Sequence, residues 1–163
     1  MDNIYFAKLK ENAIIPTKRD EDGCYDIYAC FDENEIEIYP HTIKLIPTGI
    51  ASAFDKKYRL SIRERGSNTK SGLIVMAGQI DSGYRGEIFV ALYNCLDYSV
   101  KISKSTKEFF ESTLRHKLTP YTKAIAQIAV EEVPVVDIIE ISKEELQNMS
   151  SERGEGKLGS SEK

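Results

Sequence analysis

At 163 residues, 41% hydrophobic and 29% charged, the chain is long enough for one domain with a real core and ordinary in composition for a globular protein. A net charge of −4 argues against a general nucleic-acid surface, and no apolar run nears the roughly 20 residues of a membrane span. The first residues, MDNIYFAKLK, lack a basic segment leading into an apolar stretch, so no secretory signal is expected. Three cysteines, Cys24, Cys30 and Cys95, show no metal spacing and fit a reducing, cytoplasmic setting.

Short β-like stretches dominate the chain. Ile4–Leu9 alternates, and Ile43–Ala53 is apolar and β-branched but broken by Pro47 and Gly49. Tyr58–Arg63 sets Tyr58, Leu60 and Ile62 against Arg59, Ser61 and Arg63, the period of a half-buried strand. Ile88–Tyr93, Ala124–Val130 and Val133–Ile141 read as further strands. Turn signals separate them at Asp22-Gly23, Pro40, Asp55-Lys56, Ser82-Gly83, Pro120 and Pro134. Many short strands with such punctuation predict a sandwich, jelly roll or barrel. Two segments read as helical. Ser105–Lys117 places Phe109, Phe110 and Leu114 on roughly one face, and Ser142–Met149 opens Ser-Lys-Glu-Glu, a capping box.

Residues 78–94, GQIDSGYRGEIFVALYN, are the most informative segment. A glycine-bent turn carries Asp81 and Tyr84 and runs at once into a strand. A ring held on such a turn can cover a planar group while the acid takes a proton from water. The tail from Ser150, SSERGEGKLGSSEK, has the composition of a disordered end. Its Arg, glycines and paired serines are equally what a phosphate-wrapping flap needs: a guanidinium fork, turned backbone N–H groups and hydroxyls.

Taken in order, these pieces resemble the trimeric all-β dUTPase family, in the manner of a phage or prophage member. The first family motif resembles Gly23–Ala29, the second Glu64-Arg65-Gly66-Ser67 running on to Leu73, and the third Gly78–Glu87. The fourth resembles Ala124–Gln127 and the fifth Arg153–Ser161. The resemblance implies an all-β jelly roll or distorted β-barrel with a short helical insertion and a flexible Gly/Ser-rich C-terminal flap. Residues 1–150 would form the single domain, with 100–119 as a candidate insert and 151–163 as the flap.

The implied reaction is hydrolysis of dUTP to dUMP and pyrophosphate with Mg²⁺. Asp81 would be the general base for water attacking the α-phosphorus. Tyr84 would pack under the deoxyribose, and the backbone of Gly78, Gln79 and Ile80 would read uracil. Arg65, Gly66, Ser67 and Gln127 would contact phosphate, although Gly66-Ser67 departs from the commoner Ser-Gly or Ser-Ser. Arg153 would grip the γ-phosphate with Gly159, Ser160 and Ser161, and Leu158 would cover the base where the family usually has phenylalanine. Asp26 would face the metal through water. The family also implies a homotrimer with shared sites, in the cytoplasm (the host's, if phage-encoded), with no nucleic-acid or membrane partner. Two alternatives stay open. One is a dCTP deaminase-like enzyme, against which stands Ala91 where that family has a catalytic Glu. The other is a dUTPase-fold protein that binds a regulatory partner through 100–119.

Overall fold

The computed structural model describes residues 3–69, 72–105, 109–111, 116–151 and 154. The elements in chain order are β1 (Tyr5–Lys8), β2 (Tyr25–Ile27), β3 (Glu35–Ile38), β4 (Ile43–Pro47), β5 (Ile50–Ala53) and β6 (Tyr58–Arg63). A one-turn helix α1 (Gly66–Thr69) leads to β7 (Leu73–Met76), β8 (Gln79–Ile80), β9 (Phe89–Asn94) and β10 (Ser99–Ser103). β11 (Phe109–Glu111), β12 (His116–Pro120), β13 (Ala126–Glu132) and α2 (Lys143–Asn148) complete the set.

The strands pair as β1-β5, β11-β12-β10-β3, β2-β13-β6-β8 and β4-β9-β7 among the described residues. All these pairings are antiparallel except β10 with β12. Between the sheets lies one core rich in β-branched residues, in which Ile27, Ile38, Ile46, Ile50, Leu60, Ile88, Val90, Val100 and Ile128 are almost wholly buried. Each such side chain contributes on the order of 1.5–3 kcal/mol. Asn94, also fully buried, is satisfied on both ends of its amide. Its Nδ2 donates to the carbonyls of Ile38 and Tyr98 at 3.0 and 2.8 Å, and its Oδ1 accepts from the Leu96 N–H at 3.0 Å. It thereby ties β9 to β3 and to the turn ahead of β10 with its own amide fully paired.

The β2-β13-β6 ladder positions the site. Gln127 on β13 stands opposite Asp26 on one side and Arg63 on the other. Cross-strand partners point to one face, so period two sorts these strands cleanly. Tyr25, Ile27, Ala126, Ile128, Leu60 and Ile62 face the core side, while Asp26, Gln127, Ser61, Arg63, Arg59 and Glu131 share the polar face. Gly78 is what lets β8 join this sheet. A Cβ there would lie 2.2 Å from the Ile62 carbonyl oxygen, and the Ile62 N–H donates to the Gly78 carbonyl at 2.6 Å.

The strand expected over Tyr58–Arg63 is β6, and Ser142 caps α2 in the expected capping box with Glu145. Two expectations are corrected. The helix read over Ser105–Lys117 is not formed: Phe109–Glu111 is a strand antiparallel to His116–Pro120, which in turn runs parallel to β10. Phe-Phe spacing serves a strand as well as a helix, and a parallel partner distant in sequence leaves no local trace. The strand read over Val133–Ile141 is also absent. This stretch finds no ladder among the described residues, and Val135 and Ile138 are 92% and 93% exposed.

On the polar face, Glu131 accepts from Arg59 Nε at 2.9 Å, from Ser61 Oγ at 2.8 Å and from Arg63. The hydrogen bonds from Arg63, Ser61 and Arg59 lower its pKa to about 2. The folded state therefore gains stability from Glu131 once pH exceeds the unfolded-chain value, and that gain disappears as pH falls through about 2. In urea titrations, the wild type will lose stability more steeply than Glu131→Gln between about pH 4.5 and pH 2. Parallel curves for the two proteins would show that the carboxylate is not linked to folding.

Candidate active site

The expected site residues that are described, Gly78 apart, fall in two separate clefts. The larger, of about 850 Å³, lies at the end of the β2-β13-β6 ladder and is lined by Thr17 to Arg19, Asp22 to Cys24, Asp26, Arg65, Gly66, Ser67 and Gln127. Arg65 leaves the end of β6 and meets Asp26 fork to fork, with Nε 2.9 Å from Oδ1 and Nη2 3.2 Å from Oδ2. Its Nη1 donates to the Ala124 carbonyl at 3.2 Å. A guanidinium has five N–H donors, so an Arg oriented at both edges still has capacity for an anion. Gln127 Nε2 donates to the Glu64 carbonyl at 2.7 Å, which secures the turn that delivers Arg65. It is Arg65, rather than Glu64, whose side chain lines the cleft. Gly66 and Ser67 follow as the start of α1.

The opposite wall is a loop that motif reading missed. Thr17 bridges to Asp26, and Arg19 forms a two-point ion pair with Asp22 at 2.9 and 3.0 Å. That pair raises the Arg19 pKa and lowers that of Asp22. The Lys18 ammonium donates to the carbonyls of Arg19 and Asp20. Adjacent cations, Lys18-Arg19, just ahead of the first motif in an acidic chain were the only available signal.

The smaller cleft, of about 250 Å³, is lined by Gln79, Ile80, Asp81, Tyr84, Glu87 and Phe89. Gln79 Nε2 donates to Asp81 Oδ1 at 3.2 Å, and the Tyr84 N–H closes the turn onto the Asp81 carbonyl at 3.1 Å. Arg85 Nη1 braces the same turn through the carbonyls of Ser82 and Tyr84. Asp81 and Tyr84 are both exposed, available to a ligand rather than spent in the core. β8 is an edge strand, so its outer N–H and C=O groups are also presented. The two clefts have no lining residue in common. Arg153, Leu158, Gly159, Ser160 and Ser161 lie outside the described residues.

Among the described residues, no group of three or more His, Cys, Asp or Glu side chains forms an all-protein metal cage. Two carboxylates line each cleft, Asp22 and Asp26 in the larger and Asp81 and Glu87 in the smaller, and of these Asp22 is paired with Arg19, Asp26 with Arg65 and Glu87 with the Gly49 N–H. That donor set fits a hard cation held mainly by a ligand's phosphates and by water, as Mg²⁺ usually is. Nor is any helix of the described residues long and apolar enough to cross a membrane.

The dUTPase family model matches residues 10–107, more than half of the chain. A deoxyuridine 5'-triphosphate nucleotidohydrolase of Nautilia profundicola is 35% identical over 162 residues, covering 96% of each protein. Its counterpart in Clostridioides difficile is 33% identical over 165 residues, covering 98% of each. Among solved structures, the dUTPase of Staphylococcus bacteriophage 80alpha with dUpNHpp matches at TM-score 0.77 and 20% identity over 99% of both chains. That of phage phi11 of S. aureus matches at TM-score 0.69 and 18% identity, over 87% of this chain and 97% of that one. Fold, motif order and full-length relatives agree: the chain belongs to the dUTPase family, the dUTP diphosphatases.

Proposed function

We propose that this protein hydrolyses dUTP to dUMP and pyrophosphate at sites assembled between the subunits of a homotrimer. The observation that carries this reading is the separation of the two clefts. The acid and the ring lie in one, the phosphate-binding groups in the other, so a neighbouring subunit must bring a complementary cleft to each. Two surfaces support the assembly. On the outer face of β4-β9-β7, the rows Ile43–Tyr93–Ile74 and Leu45–Ala91–Met76 run side by side, yet the opposite face is already buried in the core. Ile43 and Leu45 are 56% and 59% exposed, an apolar patch of the kind that marks an interface. The arm at 133–141 is likewise apolar and extended, with no partner strand among the described residues.

Within such a site, Asp81 takes the proton of the water that attacks the α-phosphorus, and the Gln79 amide steadies the carboxylate. Tyr84 covers the deoxyribose. Uracil pairs with the outer edge of β8 near Gly78, Gln79 and Ile80. Arg65, held in one orientation by Asp26, stabilises charge on the phosphates together with Gly66, Ser67 and Gln127. A divalent cation bound with the triphosphate would neutralise charge and fix its geometry, and Mg²⁺ with Asp26 beyond one water fits the donors present. Residues 151–163, with Arg153, Leu158, Gly159, Ser160 and Ser161, act as the flap over a domain of residues 1–150. Three unpaired cysteines accord with work in the cytoplasm.

A panel of dUTP, dCTP, dTTP and UTP with Mg²⁺ tests the activity: dUTP alone should turn over. Asp81→Asn should lower kcat by about 10²–10⁴-fold with little change in KM. Indiscriminate hydrolysis, or an undiminished variant, would refute the mechanism. Shared sites make a sharper forecast. Asp81→Asn and Arg65→Ala subunits, each inactive alone, should regain activity when unfolded and refolded together, because mixed trimers contain sites with both native residues. No recovery in a mixture shown to contain hybrid trimers would place both residues in one subunit's site. In sedimentation, the wild type should run at three times the 18.4 kDa chain mass, and Leu45→Lys should shift it towards the monomer with loss of activity. A wild type that sediments as a monomer and is still active would remove the need for assembly.

A further inference from the structure

Resting on that reading and deepening it, we propose that Glu87 is a positioning residue that sets the pose of Tyr84 and with it the rejection of a ribose 2′-hydroxyl. Glu87 stands where the turn runs into β9 and is engaged at two ends. Its backbone carbonyl accepts the Tyr84 phenol at 2.8 Å. Its side-chain Oε1 accepts the Gly49 N–H, also at 2.8 Å. Gly49 joins β4 to β5 and lies against the core.

The bond to Gly49 belongs to a seam. Thr48, 1% exposed, donates its hydroxyl to the Ile88 carbonyl at 2.5 Å, and the Ile88 N–H donates to the Ile50 carbonyl at 2.9 Å. Three hydrogen bonds thus sew Glu87 and Ile88 to residues 48–50, with Ile50 and Ile88 fully buried on the inner side. Of the three, the carboxylate bond is the charge-assisted one and the outermost, next to the Tyr84 turn. Gly86 completes the seat. A Cβ there would lie 2.4 Å from the Tyr84 phenol oxygen, so the ring rests where any side chain would be. Tyr84 is itself 44% exposed, and its hydroxyl bond to Glu87 and its contact with Gly86 are what hold it.

A ring discriminates against an added hydroxyl only if it cannot move aside. Releasing the carboxylate from Gly49 leaves the Glu87 carbonyl held only through the Ile88 N–H of its own peptide group, so that peptide can pivot about its bond to Ile50, the phenol follows, and the space beside C2′ opens. The position therefore acts on specificity through Tyr84.

The test is steady-state kinetics of the full chain on dUTP and UTP, with thermal melts, for wild type, Glu87→Ala, Glu87→Asp and Glu87→Gln. Ala offers no acceptor, and Asp keeps the charge but is one methylene too short to reach Gly49. Both should lower the dUTP-to-UTP ratio of kcat/KM by about tenfold, mainly by raising UTP turnover. Gln, whose amide oxygen can accept the same bond, should stay within about threefold of wild type. If Ala fails to fold, the contrast between Asp and Gln decides. An unchanged ratio in all variants, or equal losses on both nucleotides that follow the melting temperature, overturns the positioning role while leaving the activity intact. A wild type without dUTP turnover would instead overturn the activity, and this proposal with it.

Discussion

The constraint from which the rest follows is the pairing of β13 with both β2 and β6. It places Asp26, Gln127 and Arg63 in one row although they come from three distant parts of the chain. Because side chains alternate along a strand, one register decides two things together. It puts Ile27, Ile62 and Ile128 into the core and turns Asp26 outward to meet Arg65 and Gln127 outward to the Glu64 carbonyl. A slip of one residue would bury the acid and expose the isoleucines. The cost of that error, several apolar side chains at about 1.5–3 kcal/mol each, holds the wall of the larger cleft in place. Core packing and site geometry are thus the same fact seen from the two faces of one sheet.

The second cleft depends on a different anchor. β8 is only two residues long and joins β6 because Gly78 has no side chain. From there the turn carrying Asp81 and Tyr84 projects outward and returns into β9 through Ile88, which is buried. A short strand at one end and a buried strand at the other leave the turn exposed but not loose. Neither cleft alone has both Asp81 and Arg65. The apolar outer face of β4-β9-β7 and the arm at 133–141 are apolar surfaces that this chain leaves exposed.

Some of this was legible in the sequence. Tyr58–Arg63 alternates so cleanly that its strand, its buried face and its limits were all readable. Ser142 and Glu145 name their own helix start, because a capping box is satisfied within four residues. Asp81 and Tyr84 could be picked out because glycines bracket them. What failed had non-local causes. Residues 109–111 and 116–120 are strands because β10 and β12 pair in parallel, a choice that no local pattern records. Val133–Ile141 has strand composition but pairs with no strand among the described residues. The loop of Lys18, Arg19 and Asp22 entered the site through its bridge at Thr17 to Asp26, not through any motif.

The sequence by itself determined the chemistry on offer: which acids, arginines and glycines exist, in what order, and which short stretches prefer extended backbone. Those properties are local, set by side-chain period, turn residues and caps. The tertiary structure alone decided which of them meet. Asp26 faces Arg65 rather than solvent, Glu87 reaches Gly49, and the predicted site residues divide between two clefts. Each of these is a contact between segments far apart in the chain, and such contacts are chosen by the burial of the whole core, a quantity no single segment carries.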